Sequence, residues 1–160
     1  MNNPYISDIG YTKVMVENST DEPRVFIDNR GNWFQDGIEI KHRLTYLYNN
    51  KLLDRDEEGH YYIDDGSCRM YIRVEDTPFV VKMLRKEGED YYIILNDETE
   101  EKLNLETLRI NEENIPYTKV KNEKFDARFT RPAYYEMMKH AVQDGDGFYI
   151  ESKGQKYYLS

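Results

Sequence analysis

Apolar residues in this chain recur at two spacings, one typical of strands and one typical of helices. Short apolar or aromatic runs, bounded by glycine, asparagine or aspartate, predict a series of strands. These runs are Val25–Ile27, Asn32–Phe34, Tyr61–Ile63, Met70–Val74, Phe79–Leu84, Tyr91–Leu95, Leu103–Leu105, Leu108–Ile110, Tyr117–Val120, Phe125–Thr130, Phe148–Ile150 and Tyr157–Leu159. Between the first two, Gly31 ends the turn Asp28–Gly31, where a positive φ is expected.

Two segments have the helical spacing instead. In the first, one apolar face repeats at i, i+4, i+7, i+8 and i+12: Ile40, Leu44, Leu47, Tyr48 and Leu52. In the second, the face repeats at i, i+3, i+4 and i+7: Tyr134, Met137, Met138 and Ala141. Pro132 fits the first helical position and Gly145 is a plausible stop for this second helix.

The two predicted helices have similar surroundings. Each is followed by an acidic, glycine-containing turn and then by two aromatic strands joined by a glycine turn. A hairpin needs a helix on its apolar face to be stable, so this unit is physically sensible. The order predicts an α+β fold of two small domains with a repeated helix-plus-antiparallel-sheet motif. The boundaries would be 1–23 for an N-terminal extension or edge segment, 24–80 and 81–160, although two common elements can also agree by chance.

Composition limits the classes of partner and compartment. Of 160 residues, 22 are Lys or Arg and 31 are Asp or Glu, giving a net charge of −9, which disfavours nucleic acid and anionic membranes as partners. Tyrosines alternate with bases over 117–135, as in a single-strand groove, but the overall charge argues against that function. The single cysteine excludes an intramolecular disulfide. With no apolar span or leader-like N-terminus, we expect a soluble cytoplasmic protein.

Charged residues near Pro78 and Pro132 are candidates for a site. Glu75 and Asp76 end a predicted strand, and such neighbouring carboxylates form a structural corner, a polar pocket or an acid–base pair. Arg128 and Arg131 flank the start of the second helix, where they can pair with Glu75 or Asp76 or hold an anion at the helix N-terminus. Trp33 is expected in the core, or on a partner surface if exposed.

An acidic loop resembles a calcium site only in part. Asp54, Asp56 and Glu58 occupy positions 1, 3 and 5, Gly59 occupies position 6 and Asp65 position 12. Position 12 should instead be a glutamate that begins a second helix, whereas the residues before Asp65 are strand-like. A solvated acidic turn is therefore the favoured interpretation. No other metal or cofactor is expected.

Several of these segments occur in an order that resembles a bacterial family, the domain of unknown function 1285 (DUF1285). The resemblance covers about Val25 to Leu159 and is carried by Arg24–Asp28, Gly31–Trp33, Gly37, the helix that follows, Val74–Phe79 and Arg131–Glu136. It implies two small α+β domains with a repeated motif, no established catalytic activity and a suggested link to signal transduction. The chain departs from the family pattern at Asp65–Arg69.

Three functions remain open at this stage. The first is a non-enzymatic binding or regulatory module that uses Glu75, Asp76, Arg128 and Arg131 near the junction of the two halves. The alternatives are a homo-oligomeric interaction protein with pairing strand edges and an enzyme that uses the Glu75 and Asp76 carboxylates. A small ligand or a protein partner is expected, and the sequence names neither.

Overall fold

The computed structural model describes residues 23–159 of the chain. These residues form two compact units, one made of 23–28 with 32–75 and the other of 29–31 with 76–159. The predicted extension 1–23 lies outside the described residues except for Pro23, and the predicted boundary at 80/81 remains a prediction.

The first unit contains two small sheets and one helix. Its four-stranded sheet has the order β3-β2-β1-β7 and its three-stranded sheet the order β4-β5-β6. The strands are β1 Val25–Ile27, β2 Trp33–Gln35, β3 Ile38–Glu39, β4 Leu53–Arg55, β5 Tyr61–Asp64, β6 Arg69–Tyr71 and β7 Arg73–Val74. Helix α1, Arg43–Leu52, packs against β5. Val25, Ile27, Trp33 and Ile63 are at most 1% exposed and form the core of this unit.

The second unit is built on a six-stranded sheet with the order β10-β9-β8-β13-β12-β11. Its strands are β8 Phe79–Glu87, β9 Asp90–Leu95, β10 Glu100–Lys102, β11 Arg109–Ile110, β12 Pro116–Val120 and β13 Phe125–Phe129, and a 3-10 helix spans Leu105–Thr107. Helix α2, Arg131–Met138, packs on β8. A three-stranded sheet follows, made of β14 Val142–Asp144, β15 Gly147–Ser152 and β16 Gln155–Leu159.

The α+β class predicted from the sequence is confirmed, with some corrections to individual elements. The strand predicted at Leu103–Leu105 is wrong, because the strand ends at Lys102 and Leu105 begins the 3-10 helix. Short strands β3, β4, β10 and β14 were not predicted, since each has only two or three residues and none has an apolar run. Antiparallel pairing dominates, but β1 pairs with β7 and β8 with β13 in parallel.

Both helices also differ from their predicted limits. Leu44 and Tyr48, predicted to face the core, are 66% and 48% exposed, whereas Asn49 and Asn50 are buried. Helix α1 is turned this way partly because Asn50 Oδ1 accepts a hydrogen bond from the buried Trp33 indole at 3.0 Å. Helix α2 ends at Met138, and Gly145 instead lies in the turn between β14 and β15.

Each helix is followed in sequence by a three-stranded antiparallel sheet, β4-β5-β6 after α1 and β14-β15-β16 after α2. This is the order of elements that the repeat requires. The structural repetition itself stays a prediction.

Candidate functional site

Asp76 is the centre of a polar cluster in the second unit. Its Oδ2 atom accepts hydrogen bonds from the Tyr117 hydroxyl at 2.7 Å and from Arg128 Nη1 at 2.9 Å. Asp76 precedes β8, while Tyr117 and Arg128 are register partners on β12 and β13. The pairing of Arg128 with Asp76, one of the alternatives considered from the sequence, therefore forms across 52 residues of chain.

Thr77 fixes the position of this cluster on the sheet. Its buried hydroxyl donates to the Phe79 carbonyl oxygen at 2.6 Å and accepts from the Arg128 backbone N–H at 3.1 Å. The segment before β8 is thereby held to β13 beside the parallel pair that the two strands form. Because Asp76 directly precedes this anchored residue, its carboxylate is held where it positions the Arg128 guanidinium.

Tyr117 is a buried member of the cluster. Burial, the hydrogen bond to Asp76 and the charge of that carboxylate raise the pKa of Tyr117 to about 12, although Arg128 and Arg109 oppose the rise. Its hydroxyl therefore stays protonated and donates to Asp76 at physiological pH. The Tyr117 hydroxyl and Arg128 Nη1 therefore both donate hydrogen bonds to the same oxygen of Asp76, Oδ2.

A cavity of about 360 Å³ opens beside this cluster. Its polar and aromatic lining comes from the loop before β12, from β13 and from the start of α2: Glu113, Asn114, Arg128, Arg131, Tyr134 and Tyr135. Ile115, Pro116 and Phe129 contribute apolar surface. The volume is at the lower end of the roughly 300–1,000 Å³ usual for small-molecule pockets.

Arg131 reaches this cavity from the first position of α2. Thr130 is the N-cap and accepts from the Ala133 N–H, and Pro132 is the second helical residue rather than the first. The Arg131 side chain forms no hydrogen bond or ion pair with any residue of 23–159. An unpaired guanidinium at the positive end of a helix is well placed to attract an anion.

Another part of the cavity lining comes from a tight loop, 111–115, that the sequence did not indicate as a site. Asn111 Oδ1 accepts from the backbone N–H groups of Glu113 and Ile115, and Asn114 has a φ of +64°. The Tyr134 hydroxyl donates to Asn114 Oδ1 at 3.0 Å, which joins the loop to α2. The only available signal was a pair of asparagines bracketing two glutamates, which is typical of a turn and not of a site.

The other residues proposed from the sequence lie elsewhere. Glu75 is an exposed residue of the first unit, where its backbone N–H donates to the Ile27 carbonyl at 2.9 Å. Trp33 is 1% exposed and belongs to the core, as expected, and not to a partner surface. Neither lines the cavity described above.

Two acidic residues of the partial calcium pattern accept hydrogen bonds from backbone N–H groups of the turns in which they lie. Asp56 Oδ1 accepts from the N–H groups of Glu58 and His60, and Asp65 Oδ1 accepts from Ser67 and Cys68. Asp54 lies within β4. Across residues 23–159, no group of three or more His, Cys, Asp or Glu side chains is arranged to hold a metal ion.

A second cavity, of about 410 Å³, differs in its electrostatics. Asp90 on its wall has Lys102 Nζ at 3.0 Å and Lys153 Nζ at 3.5 Å from the same oxygen. The contact with Lys102, opposed by burial, and the nearby charge of Lys153 lower the pKa of Asp90. Because Asp90 and its two lysines already neutralise one another, this cavity has fewer unpaired charges to bind an ion or a charged ligand than the cavity beside Arg131.

None of the helices described within 23–159 has the length and apolar character needed to cross a membrane.

Comparisons with known proteins give a structural likeness and no sequence match. No family model matches the chain, and no curated protein matches it. A crystal structure of a DUF1285 family protein from Silicibacter pomeroyi DSS-3 is 19% identical with a TM-score of 0.70, covering 86% of this chain and 79% of that one. One from Shewanella baltica OS155 is 14% identical with a TM-score of 0.62, covering 73% of this chain and 91% of that one. The resemblance predicted from the sequence is thus confirmed in the fold: this chain folds like these two DUF1285 family proteins.

Proposed function

We propose that this protein is a non-enzymatic binding module and that its second unit takes a small anionic ligand in the cavity beside Asp76. The observation that carries this proposal is the pair of guanidinium groups that line one cavity. Arg131 has no partner within 23–159, and the Nε and Nη2 atoms of Arg128 have none either. Two guanidinium groups with free donors favour a carboxylate or phosphate, which they bind in a fork geometry.

The contacts of Asp76 favour this function over an enzyme that uses Glu75 and Asp76. Asp76 Oδ2 is occupied by the donors of Tyr117 and Arg128, so the carboxylate positions the receptor arginine. Glu75 is exposed and belongs to the other unit. The link to signal transduction, which the resemblance implies, remains a prediction.

The test compares Arg131→Gln with a matched loss of charge elsewhere. Arg131 is exposed and unpartnered, so its substitution leaves the fold intact. Arg85→Gln is the control, since Arg85 lies on β8 and pairs with Glu87 and Glu100 away from the cavity. The probe is 3-phenylpropionate, whose carboxylate matches the arginines and whose ring matches Tyr134 and Tyr135.

The expected result is a rise in melting temperature with 3-phenylpropionate for the native protein and for Arg85→Gln, and none for Arg131→Gln. A ligand at 100 times its Kd adds about 2.7 kcal/mol, which such a scan detects readily. An equal rise in all three proteins, or none in the native protein, would overturn the proposal.

A homo-oligomeric interaction protein is the second candidate, favoured by an exposed face of the sheet β14-β15-β16. Val142 is 42% and Tyr158 54% exposed, and both are register partners of Tyr149. Tyr149 and Tyr158 pack with their ring centroids 5.4 Å apart. Light scattering of the native protein and of Tyr158→Lys tests this alternative: a dimer that the substitution dissociates supports it, and a native monomer at high concentration excludes it.

A further inference from the structure

The cavity beside Arg131 carries unpaired charges of both signs. Glu113 lines the same cavity, and its carboxylate forms no hydrogen bond or ion pair with any residue of 23–159. Arg131 is unpartnered as well, so the two opposite charges share one cavity without neutralising each other. In the second cavity, by contrast, Asp90 and its two lysines have closed into ion pairs.

The two charged residues belong to separate elements that line the cavity. Arg131 is fixed at the first position of α2, and Glu113 lies in the loop that Asn111 holds closed through two backbone hydrogen bonds. The hydrogen bond between Tyr134 and Asn114 joins the two elements. Because both side chains line one cavity without pairing with each other, a ligand bound there can contact a cation and an anion at once.

The rest of the cavity lining is partly aromatic and apolar. Tyr134 and Tyr135 have ring centroids 6.3 Å apart, and Phe129 and Pro116 also line the cavity. Such surfaces favour a flat or branched apolar group, which packs on their ring faces. Two cations line this cavity, Arg131 and Arg128, and Asp76 holds the second in place. The carboxylate of the ligand therefore binds to these arginines.

We infer that the ligand is a zwitterion of amino-acid size with an apolar or aromatic side chain, whose carboxylate pairs with Arg131 and Arg128 and whose ammonium pairs with Glu113. This inference rests on the proposed function, since it names the ligand class of the same cavity. It adds a requirement that an anion site alone does not have, namely a positive charge on the ligand.

The test measures the affinities of three related compounds by calorimetry. L-phenylalanine carries both charges, 3-phenylpropionate lacks the ammonium group, and phenethylamine lacks the carboxylate. We expect L-phenylalanine to bind about tenfold more tightly than 3-phenylpropionate, which is the effect of one charge-assisted contact, and phenethylamine to bind weakest.

The variant Glu113→Gln tests whether the Glu113 carboxylate binds the ammonium group of the ligand. It should reduce the affinity for L-phenylalanine to that for 3-phenylpropionate and leave the latter unchanged. Glu112→Gln is the matched control, because Glu112 is an exposed neighbour outside the cavity lining, and it should change neither affinity. Both glutamates are exposed and lack side-chain partners within 23–159, so neither substitution threatens folding.

The outcomes separate this inference from the proposed function. If 3-phenylpropionate binds in an Arg131-dependent way but as tightly as L-phenylalanine, the zwitterion inference is wrong and the anion site stands. If L-phenylalanine is preferred and Glu113→Gln leaves the preference intact, the assignment of Glu113 is wrong. If none of the compounds binds, both proposals fail.

Discussion

At the scale of the residue, one carboxylate organises the candidate site. Asp76 collects the Tyr117 hydroxyl and the Arg128 guanidinium on a single oxygen. Its position depends in turn on Thr77, whose buried hydroxyl bonds to two different backbone segments. Sequence reasoning can identify Asp76 as unusual because it precedes Thr77-Pro78, but it cannot identify Tyr117 as its partner among 15 tyrosines.

The raised pKa of Tyr117 gives a pH-dependent prediction. Tyr117→Phe should lower the free energy of unfolding at pH 8 by about 2 kcal/mol, since it removes a hydrogen bond to a charged group. Above pH 10 the unfolded chain loses the tyrosine proton while the folded protein keeps it up to a pKa of about 12. The native protein therefore loses this contribution as the pH rises from about 10 to 12, and its advantage over the variant should shrink.

Urea unfolding of both proteins at pH 8 and pH 11 measures this difference. Tyr158, whose pKa is raised mainly by its hydrogen bond to Asp144, is present in both proteins and cancels in the comparison. An advantage that is equal at the two pH values would contradict the assignment.

At the scale of the element, strand β8 has two local features: an irregular pairing with β9 and a close approach by the turn before β2. The irregular pairing of β8 with β9 between Val81 and Met83 places two exposed residues in a row, Lys82 and Met83, and leaves Met83 61% exposed. The turn before β2 brings Gly31 so close to β8 and Asn96 that a side chain has no room. The side-chain amide of Asn96 fills this close approach. Its Oδ1 atom accepts a hydrogen bond from the Val80 N–H, and its Nδ2 group donates one to the Gly31 carbonyl.

Two glycines allow backbone strain to be separated from this close approach. Gly31 and Gly37 both have a φ of +81°, but a Cβ on Gly31 would lie 2.7 Å from Asn96 Nδ2, whereas a Cβ on Gly37 would meet nothing within 4 Å. Gly37→Ala should cost about 1 kcal/mol through its φ alone. Gly31→Ala should cost about 2 kcal/mol more, because a buried, hydrogen-bonded amide must move.

Thermal or urea unfolding of the two variants measures the costs. Equal losses of stability would show that Asn96 moves aside freely and that the close approach contributes nothing.

At the scale of the whole molecule, burial is concentrated in a few central strands. Val81, Ile93 and Ala127 of the six-stranded sheet are fully buried, as are Val25 and Ile27 of the first unit. The strand β14, by contrast, is exposed along its length. Local stability should follow this distribution, since opening a buried strand exposes more apolar surface.

Amide hydrogen exchange followed by mass spectrometry or NMR tests this distribution. The slowest amides of the second unit should lie in β8, β9 and β13, and those of β14 should exchange fastest among its strands. Protection of β14 equal to that of β8 would contradict it and would instead favour a covered face, as the homo-oligomeric alternative requires.

The spacing of apolar residues determined most of the strands, because short apolar runs such as Tyr91–Leu95 and the glycine turn at Gly31 are specified locally. The limits of both helices and the exposure of Leu44 were settled by tertiary contacts such as that of Asn50 with Trp33. The site depends even more on tertiary structure. Asp76 and Arg128 were identifiable as candidates, but Asp76 met Tyr117 and Arg128 of the β12–β13 pair only when parallel pairing of β8 and β13 joined distant segments. Pairing at that distance leaves no periodicity in the sequence, which is why only the folded chain defines the cavity.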